Sequence, residues 1–249
     1  MTIGLLHPGE MGAAVGAVLR GAGHEVIWAS EGRSEATVDR AAAAGLSDAG
    51  TIAAVLDGAE VVLSIVPPHA ALAVAAAASS YAGVYVDANA VSPATVRSID
   101  VPALVDGGIV GGPPTAPGTR LYLSGDRADA VAALFAGSVL DARLLPGGIG
   151  AASALKMTYA AWSKGTAALL LAIRETAAAL GVDEALAAEW LESVPELPAR
   201  LAGALRSADT KGWRWIGEME EIADTFAAAG QPDGFHRAAA QVYRRWERP

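Results

Sequence analysis

Ile3-Gly4-Leu5-Leu6-His7-Pro8-Gly9-Glu10-Met11-Gly12 decides how the chain folds, and the Ala-rich stretch that follows it runs to Gly21. A short apolar strand meets a glycine turn and then a helix, which is the order that builds a phosphate cradle. Gly9 lets the backbone come close to a pyrophosphate, and Gly12 lets the helix pack on the strand. The helix start offers N–H groups and a positive dipole end. His7 stands where a G-x-G-x-x-G run has its first glycine, and the same spacing also serves an ordinary βα turn. A second strand-like run, Glu25 to Ala29, follows about one helix later and favours dinucleotide binding.

Composition narrows the classes. The chain has 249 residues, enough for one large domain or two modest ones. A formal charge of -9 speaks against nucleic acid or an anionic membrane as partner, so any anionic ligand needs local cations. No cysteine is present, which removes disulfides, thiolate metal sites and a cysteine nucleophile. The four histidines, His7, His24, His69 and His236, show no metal-ligand spacing with carboxylates, so no metal site is expected. The N-terminus lacks a basic segment before its apolar run, and no apolar stretch is long enough to span a bilayer; a cytoplasmic protein is expected.

Up to about Pro146 the strand-like runs Ile3–Leu6, Glu25–Ala29, Val61–Val66, Val84–Asp87 and Ala103–Asp106 alternate with helical stretches near 10–22, 37–44, 51–57, 69–79 and 126–137. Thr119–Ser124 and, more weakly, Leu140–Leu145 add strands. The alternation predicts an α/β fold, a Rossmann-type doubly wound parallel sheet. From Gly150 only helical patterns remain, near 151–180, 183–193, 196–208, 214–229 and 233–246. The division expected is therefore a nucleotide-binding domain over 1–146 and an all-α domain over 147–249. A helix from Ala151 to Leu180 is longer than a small domain needs, which suggests an interdomain spine or a subunit contact and hence a homodimer.

The end of the second strand separates the two nicotinamide dinucleotides. An NAD site places a carboxylate there to accept from the ribose 2′-OH. Counting from Gly12, this chain has Ser30, followed by Glu31-Gly32-Arg33-Ser34. One guanidinium and two hydroxyls suit a 2′-phosphate, so Ser30, Arg33 and Ser34 point to NADP, with NAD less favoured. A solvated polar turn is the plainer reading of the same residues.

Four segments, in order, carry a resemblance. They are Gly4 to Gly12, the strand end Val66-Pro67-Pro68, the block Asp106-Gly107-Gly108-Ile109-Val110-Gly111-Gly112 with Gly118-Thr119 behind it, and Gly150-Ala151-Ala152-Ser153-Ala154-Leu155-Lys156. Together they resemble the β-hydroxyacid dehydrogenases, the family of 3-hydroxyisobutyrate and 6-phosphogluconate dehydrogenases. The short phosphogluconate-dehydrogenase-like subgroup is also similar in Lys156-Met157-x-Tyr159-Ala160-Ala161-x-x-Lys164-Gly165 and in Trp215-Ile216-Gly217-Glu218-Met219-Glu220-Glu221.

That resemblance implies a Rossmann domain, a helical C-terminal domain and an active site in the cleft between them. It implies that Leu6, His7, Pro8, Gly9, Glu10 and Met11 line the cofactor together with Val66 and Pro67, that Asn89 lies near the nicotinamide, that Gly111 and Gly112 belong to the substrate loop, and that Lys156 is the catalytic lysine. Two departures stand out: Val110 replaces the serine common before the paired glycines, and Ala160 replaces the asparagine common four residues after the lysine. Both losses imply a substrate other than the family's usual small hydroxyacid.

The lysine also suits the chemistry directly. Hydride delivery to a carbonyl leaves charge on oxygen, and an ammonium can stabilise and protonate it. Tyr159, Ser163 and Lys164 share a helical face with Lys156 and are candidate substrate-binding residues, Ser163 or Lys164 replacing the lost asparagine. The reading is an NADP-dependent oxidoreductase acting on a small polar hydroxy or keto substrate. An NADPH-dependent imine reductase and a non-catalytic NADP-binding sensor are the alternatives.

Overall fold

A computed structural model of the chain describes residues 1–246, which fall into two compact units that meet in sequence at Lys156–Met157. In the first, β1 (Thr2–Leu5) leads through the glycine turn into α1 (Glu10–Gly21). Then come β2 (Glu25–Trp28), α2 (Glu35–Ala43), β3 (Ser47–Asp48), α3 (Ile52–Gly58) and β4 (Val61–Ser64). A 3-10 turn over Pro68–Ala70 precedes α4 (Ala71–Ala76), followed by β5 (Val84–Asp87), α5 (Pro93–Arg97), β6 (Leu104–Val110), β7 (Thr119–Ser124), α6 (Ala128–Ala133) and β8 (Leu140–Leu144).

The strand order is β3-β2-β1-β4-β5-β6-β7-β8. It reverses direction between β1 and β4, the switch point at which an open α/β sheet opens a crevice beyond its carboxyl strand ends. Every pairing is parallel except β6 with β7. The reason is the link: residues 111–118 are too few to carry a crossover, which takes a dozen or more, so β7 returns as a hairpin. The parallel sheet read from the sequence holds for β1 to β6, while β7 and, alongside it, β8 run the opposite way.

Two apolar layers flank the sheet. Ile3, Leu5, Leu63, Ile109 and Leu121 pack on one face against Val15 and Leu19 of α1, Ala41 of α2 and Val131 of α6. On the other face Leu6, Val62 and Tyr85 pack against Val55 of α3, Ala71 and Ala75 of α4 and Val96 of α5. The alternation of these side chains along each strand follows the two-residue period of the pleat.

The helical elements are α7 (Ala151–Ala179), α8 (Asp183–Ser193), α9 (Leu197–Ala228) and α10 (Gly234–Tyr243), with a 3-10 turn over Arg244–Trp246. α7 starts in the first unit and continues into the second. The sequence suggested two helices where α9 is continuous. Gly212, which lies between the two expected helices, is a close-approach residue: a Cβ there would stand 3.2 Å from Trp246 Cβ. The short β3 and α5 carry too little periodicity to be seen in the sequence. α5 is nonetheless capped by Ser92, whose Oγ accepts from Thr95 N at 3.1 Å, with Pro93 at the first helical position.

His236 on α10 is buried, with its ring centroid 4.3 Å from that of Phe226. Burial holds its pKa below the ordinary histidine value. Below about pH 6.5 the unfolded chain gains a proton that the folded one resists, so this contribution to stability is present above that pH and is lost as pH falls. His236→Phe, which cannot titrate, is expected to shrink the difference in thermal midpoint between pH 7.5 and pH 5.5 in scanning calorimetry; an unchanged difference excludes His236 as a source.

Candidate functional site

The turn after β1 has the form an anion cradle needs. Gly9 precedes α1 with no side-chain cap, so the helix start keeps its N–H groups clear of a competing side chain. At Gly12 a Cβ would fall 2.3 Å from His7 O, a contact no side chain could survive. Gly12 is therefore what allows α1 to begin so close to the strand. Glu10 is exposed in the first turn of that helix.

The β2 end brings cations to the same turn. Arg33 N donates to Ser30 O at 3.0 Å, closing a turn in which Gly32 takes a φ of 70°. Only a residue tolerant of the left-handed region fits there. The turn sends Arg33 back toward the cradle, where its Nη2 donates to Leu6 O at 3.2 Å. A second guanidinium, Arg40 of α2, donates from Nε to Pro8 O at 3.4 Å and from Nη2 to Thr37 Oγ1 at 3.0 Å. Thr37 Oγ1 in turn lies 3.1 Å from Ser34 Oγ. Neither guanidinium is paired with a carboxylate among the described residues. Arg33 and Ser34 lie in one turn with Ser30, which takes part through its backbone oxygen, and Arg40 with Thr37 joins them. That pair was not read from the sequence; its signal was a hydroxyl and a guanidinium three residues apart on the helix that follows the turn. Two unpaired cations and two hydroxyls around an uncapped helix start fit a phosphorylated dinucleotide.

Asn89 is fully committed to the protein. Its Oδ1 accepts from Val66 N at 2.6 Å, and its Nδ2 donates to Asp87 Oδ2 at 2.6 Å and Ser64 Oγ at 3.0 Å. The side chain braces the end of β4 against the end of β5, fixing the Val66-Pro67 backbone at the edge of the crevice.

The most elaborate polar cluster lies at the start of α7. Asp106 of β6 is fully buried, and its Oδ2 accepts from Gly150 N at 2.9 Å, Ser153 N at 3.1 Å and Ser124 Oγ at 3.0 Å. Its Oδ1 accepts from Ser153 Oγ at 2.7 Å, while Ser124 Oγ accepts from Ala152 N at 3.1 Å. Two residues along β6, a Cβ on Gly108 would stand 2.7 Å from Ala152 O and 3.1 Å from Lys156 Cβ. The helix therefore rests directly on strand backbone, and half-buried Lys156 projects from the turn that touches it. Beyond Val110 the paired glycines begin a loop closed by Thr119, whose Oγ1 donates to Gly112 O at 2.6 Å. Gly111 has a φ of 121°, and a Cβ there would meet Thr119 Cα at 3.0 Å.

The other three candidates belong to the second unit. Tyr159 is exposed, and Ser163 Oγ donates to Ala160 O at 3.5 Å. Lys164 forms a largely buried ion pair with Glu218 of α9, 5.9 Å above the Trp215 ring, and Tyr243 Oη donates to Lys164 O at 2.7 Å. Glu218 is the partner the sequence could not assign, because the two stand on different helices.

A family model described as a domain of unknown function, DUF1932, matches residues 177–246. No curated protein matches the chain. Among solved structures, the conserved protein MTH1747, of unknown function and described as structurally similar to 3-hydroxyacid dehydrogenases, is 28% identical over 99% of this chain and 96% of its own, with a TM-score of 0.70. Mycobacterium tuberculosis 3-hydroxyisobutyrate dehydrogenase with L-serine is 20% identical over 98% of this chain and 93% of its own, at a TM-score of 0.71. The reductive aminase from Aspergillus terreus, in complex with NADPH and ethyl levulinate, is 20% identical over 98% and 92%, at 0.60. The structural neighbours are thus 3-hydroxyisobutyrate dehydrogenase-like β-hydroxyacid dehydrogenases and related reductases, and the chain shares their Rossmann-plus-helical fold.

Gly108 gives a direct test of how α7 is seated. Gly108→Ala is expected to cost about 1–3 kcal/mol in denaturant unfolding, because the new methyl meets helix backbone that cannot swing aside. Wild-type stability in that variant would show that α7 does not rest on the strand.

Proposed function

We propose that the protein is an NADP-dependent oxidoreductase that interconverts a hydroxyl and a carbonyl on a small polar substrate, with Lys156 as proton donor and acceptor. The observation that carries this reading is the seating of Lys156: its helix turn lies on the Gly108 backbone, next to the strand that runs into the paired glycines. Arg33, Arg40, Ser34 and Thr37 would hold the 2′-phosphate, the α1 start the pyrophosphate, and the Val66-Pro67 backbone braced by Asn89 the approach to the nicotinamide. NADPH would supply a hydride to the carbonyl carbon. The Lys156 ammonium then stabilises the charge that forms on oxygen and gives it a proton, leaving a neutral amine that recovers a proton from solvent; oxidation runs the same steps backwards.

A reductase of C=N bonds is the second reading. It is favoured by Val110, which removes a hydroxyl donor from the substrate loop, and by the likeness to a reductive aminase. Dependence of NADPH oxidation on added amine separates the two. A protein that binds NADPH but turns nothing over would be a sensor instead.

Lys156→Ala is expected to lower kcat roughly 10²- to 10⁴-fold with NADPH affinity intact, whereas Arg33→Ala weakens NADPH binding by about 1.5–3 kcal/mol. Stopped-flow turnover and fluorescence titration read the two separately, and near-normal turnover in the first variant removes the lysine from the mechanism.

A homodimer is part of the same proposal. Trp162 and Leu169 of α7 are 66% and 60% exposed, and Phe235 of α10 is 79% exposed. The first two form a ridge between a groove of about 600 Å³ against α9 and one of about 320 Å³ against α10. A contiguous apolar surface of this kind is what a subunit contact covers. Trp162→Glu is expected to convert a dimer to a monomer in light scattering at micromolar concentration, and a monomeric wild-type protein overturns the dimer.

A further inference from the structure

The sheet has two edges, and they differ. β3 at one end is two residues long, Ser47–Asp48, too short to offer a strand to another chain. β8 at the other end runs for five residues and pairs with β7 on one side only. The register of that pairing, in which Leu145 N donates to Leu123 O at 2.8 Å, turns the backbone groups of Asp141 and Arg143 toward β7. Those of Leu140, Ala142 and Leu144 therefore point out from the sheet. Leu140 is screened by Ser138, whose Oγ donates to Leu140 O and accepts from Leu140 N, both at 3.2 Å. Ala142 and Leu144 have no such screen. Neither proline nor lysine, the residues that commonly close a sheet edge, occurs over 139–145, and Leu144 is 58% exposed.

The order of charges along β8 selects its partner. Asp141 and Arg143 stand two apart, so they share a face, and within the chain Arg143 Nη2 lies 2.6 Å from Asp141 Oδ2. When a strand pairs antiparallel with a second copy of itself, outward residues must lie opposite outward residues, and the two-fold axis then falls on a residue. An axis at Asp141 sets two carboxylates against each other, and an axis at Arg143 sets two guanidinium groups against each other; each opposes only three residues of the strand. An axis at Ala142 opposes all five. It places Asp141 across from Arg143 of the second copy, and Arg143 across from Asp141, at positions where the backbones do not bond and side chains come closest, with Cα atoms about 4.5 Å apart. On the other face it sets exposed Leu144 across from Leu140 of the second copy, a residue of the apolar core.

We propose that β8 pairs antiparallel with β8 of a second copy of this chain, centred on Ala142, and joins two eight-stranded sheets into one. The proposal uses residues of the first unit alone and is independent of the functional reading and of the α7 ridge. A five-residue contact falls below the roughly 1,200 Å² of a standard interface, so association is expected near ~100 µM rather than at micromolar concentration. Exposed ion pairs contribute little affinity, so the charges act mainly by fixing the register. β8 lies four strand spacings, about 19 Å, beyond β4, and pairing there leaves the crevice between β1 and β4 open.

Sedimentation equilibrium of the full chain carrying Trp162→Glu, or Leu169→Glu, either of which disrupts the α7 ridge, tests this from about 10 to 500 µM in moderate salt. A reversible monomer–dimer equilibrium is expected. Asp141→Arg and Arg143→Asp are each expected to weaken it by roughly 10-fold or more, because each sets like charges opposite at both ends of the pair. An equimolar mixture of these two variants is expected to regain the original association, since one strand then carries two positive charges and the other two negative ones. Neither variant keeps the internal Asp141–Arg143 pair, so recovery can come only from contact between chains. Ala142→Pro removes an outward N–H and spares the bonds to β7; it is expected to abolish association with the thermal midpoint unchanged. Absence of association up to about 500 µM, association that the charge reversals leave intact, or a mixture that fails to recover it each overturns the proposal.

Discussion

The buried carboxylate of Asp106 is the constraint on which the catalytic reading depends. A helix start leaves backbone N–H groups without partners, and α7 begins against the sheet, where water cannot serve them. Asp106 takes Gly150 N and Ser153 N, and Ser124 takes Ala152 N. An isolated buried charge would be costly, but four hydrogen bonds and the positive end of the helix dipole offset its desolvation. The cap comes from a strand far away in sequence and not from the residue before the helix. The first turn of α7 is thereby fixed to β6, and Lys156, one turn further on, takes its position from that anchor.

Charge is distributed to the same end. An acidic chain repels anionic ligands in general, so binding one requires cations that the protein has not already neutralised. Arg143, Arg237 and Lys164 are spent on Asp141, Asp224 with Asp233, and Glu218. Arg33 and Arg40 are held by the carbonyls of Leu6 and Pro8, which orient a guanidinium without cancelling its charge. The paired cations are neutralised by their carboxylates, and the carbonyl-held ones keep an unneutralised charge beside the turn that opens α1.

What the sequence disclosed follows from local physics. The strand–turn–helix from Ile3 to Gly12 was legible because each step needs a particular residue: an apolar alternation, a Gly12 without a Cβ, an Ala-rich helix. The shift to a purely helical second half was legible for the same reason. The antiparallel β7 was not, since strand direction depends on whether residues 111–118 can cross the sheet and leaves no mark on periodicity. Nor was the continuity of α9 through Gly212, which depends on Trp246 packing there. At the candidate site Arg33 could be read from its place in the turn, but Arg40, Glu218 and Asp106 act through partners on other elements, and single-sequence spacing carries no such information.

The adjacent glycines Gly107 and Gly108 show how the two halves of the site are held close. Glycine within a strand costs roughly 0.5–1 kcal/mol relative to alanine, and two together in a central strand need a reason. Their directions supply it. A Cβ on Gly107 would stand 3.1 Å from Asp87 O and 3.2 Å from Ala88 Cβ, against the segment that leads to Asn89. A Cβ on Gly108 would strike Ala152 O on the opposite face. One strand, reduced to bare backbone, is therefore all that separates the Asn89 brace from the helix that bears Lys156. Side chains at either position would widen that separation, so the stability given up in β6 sets how closely the segment leading to Asn89 and the start of α7 approach the strand from its two faces.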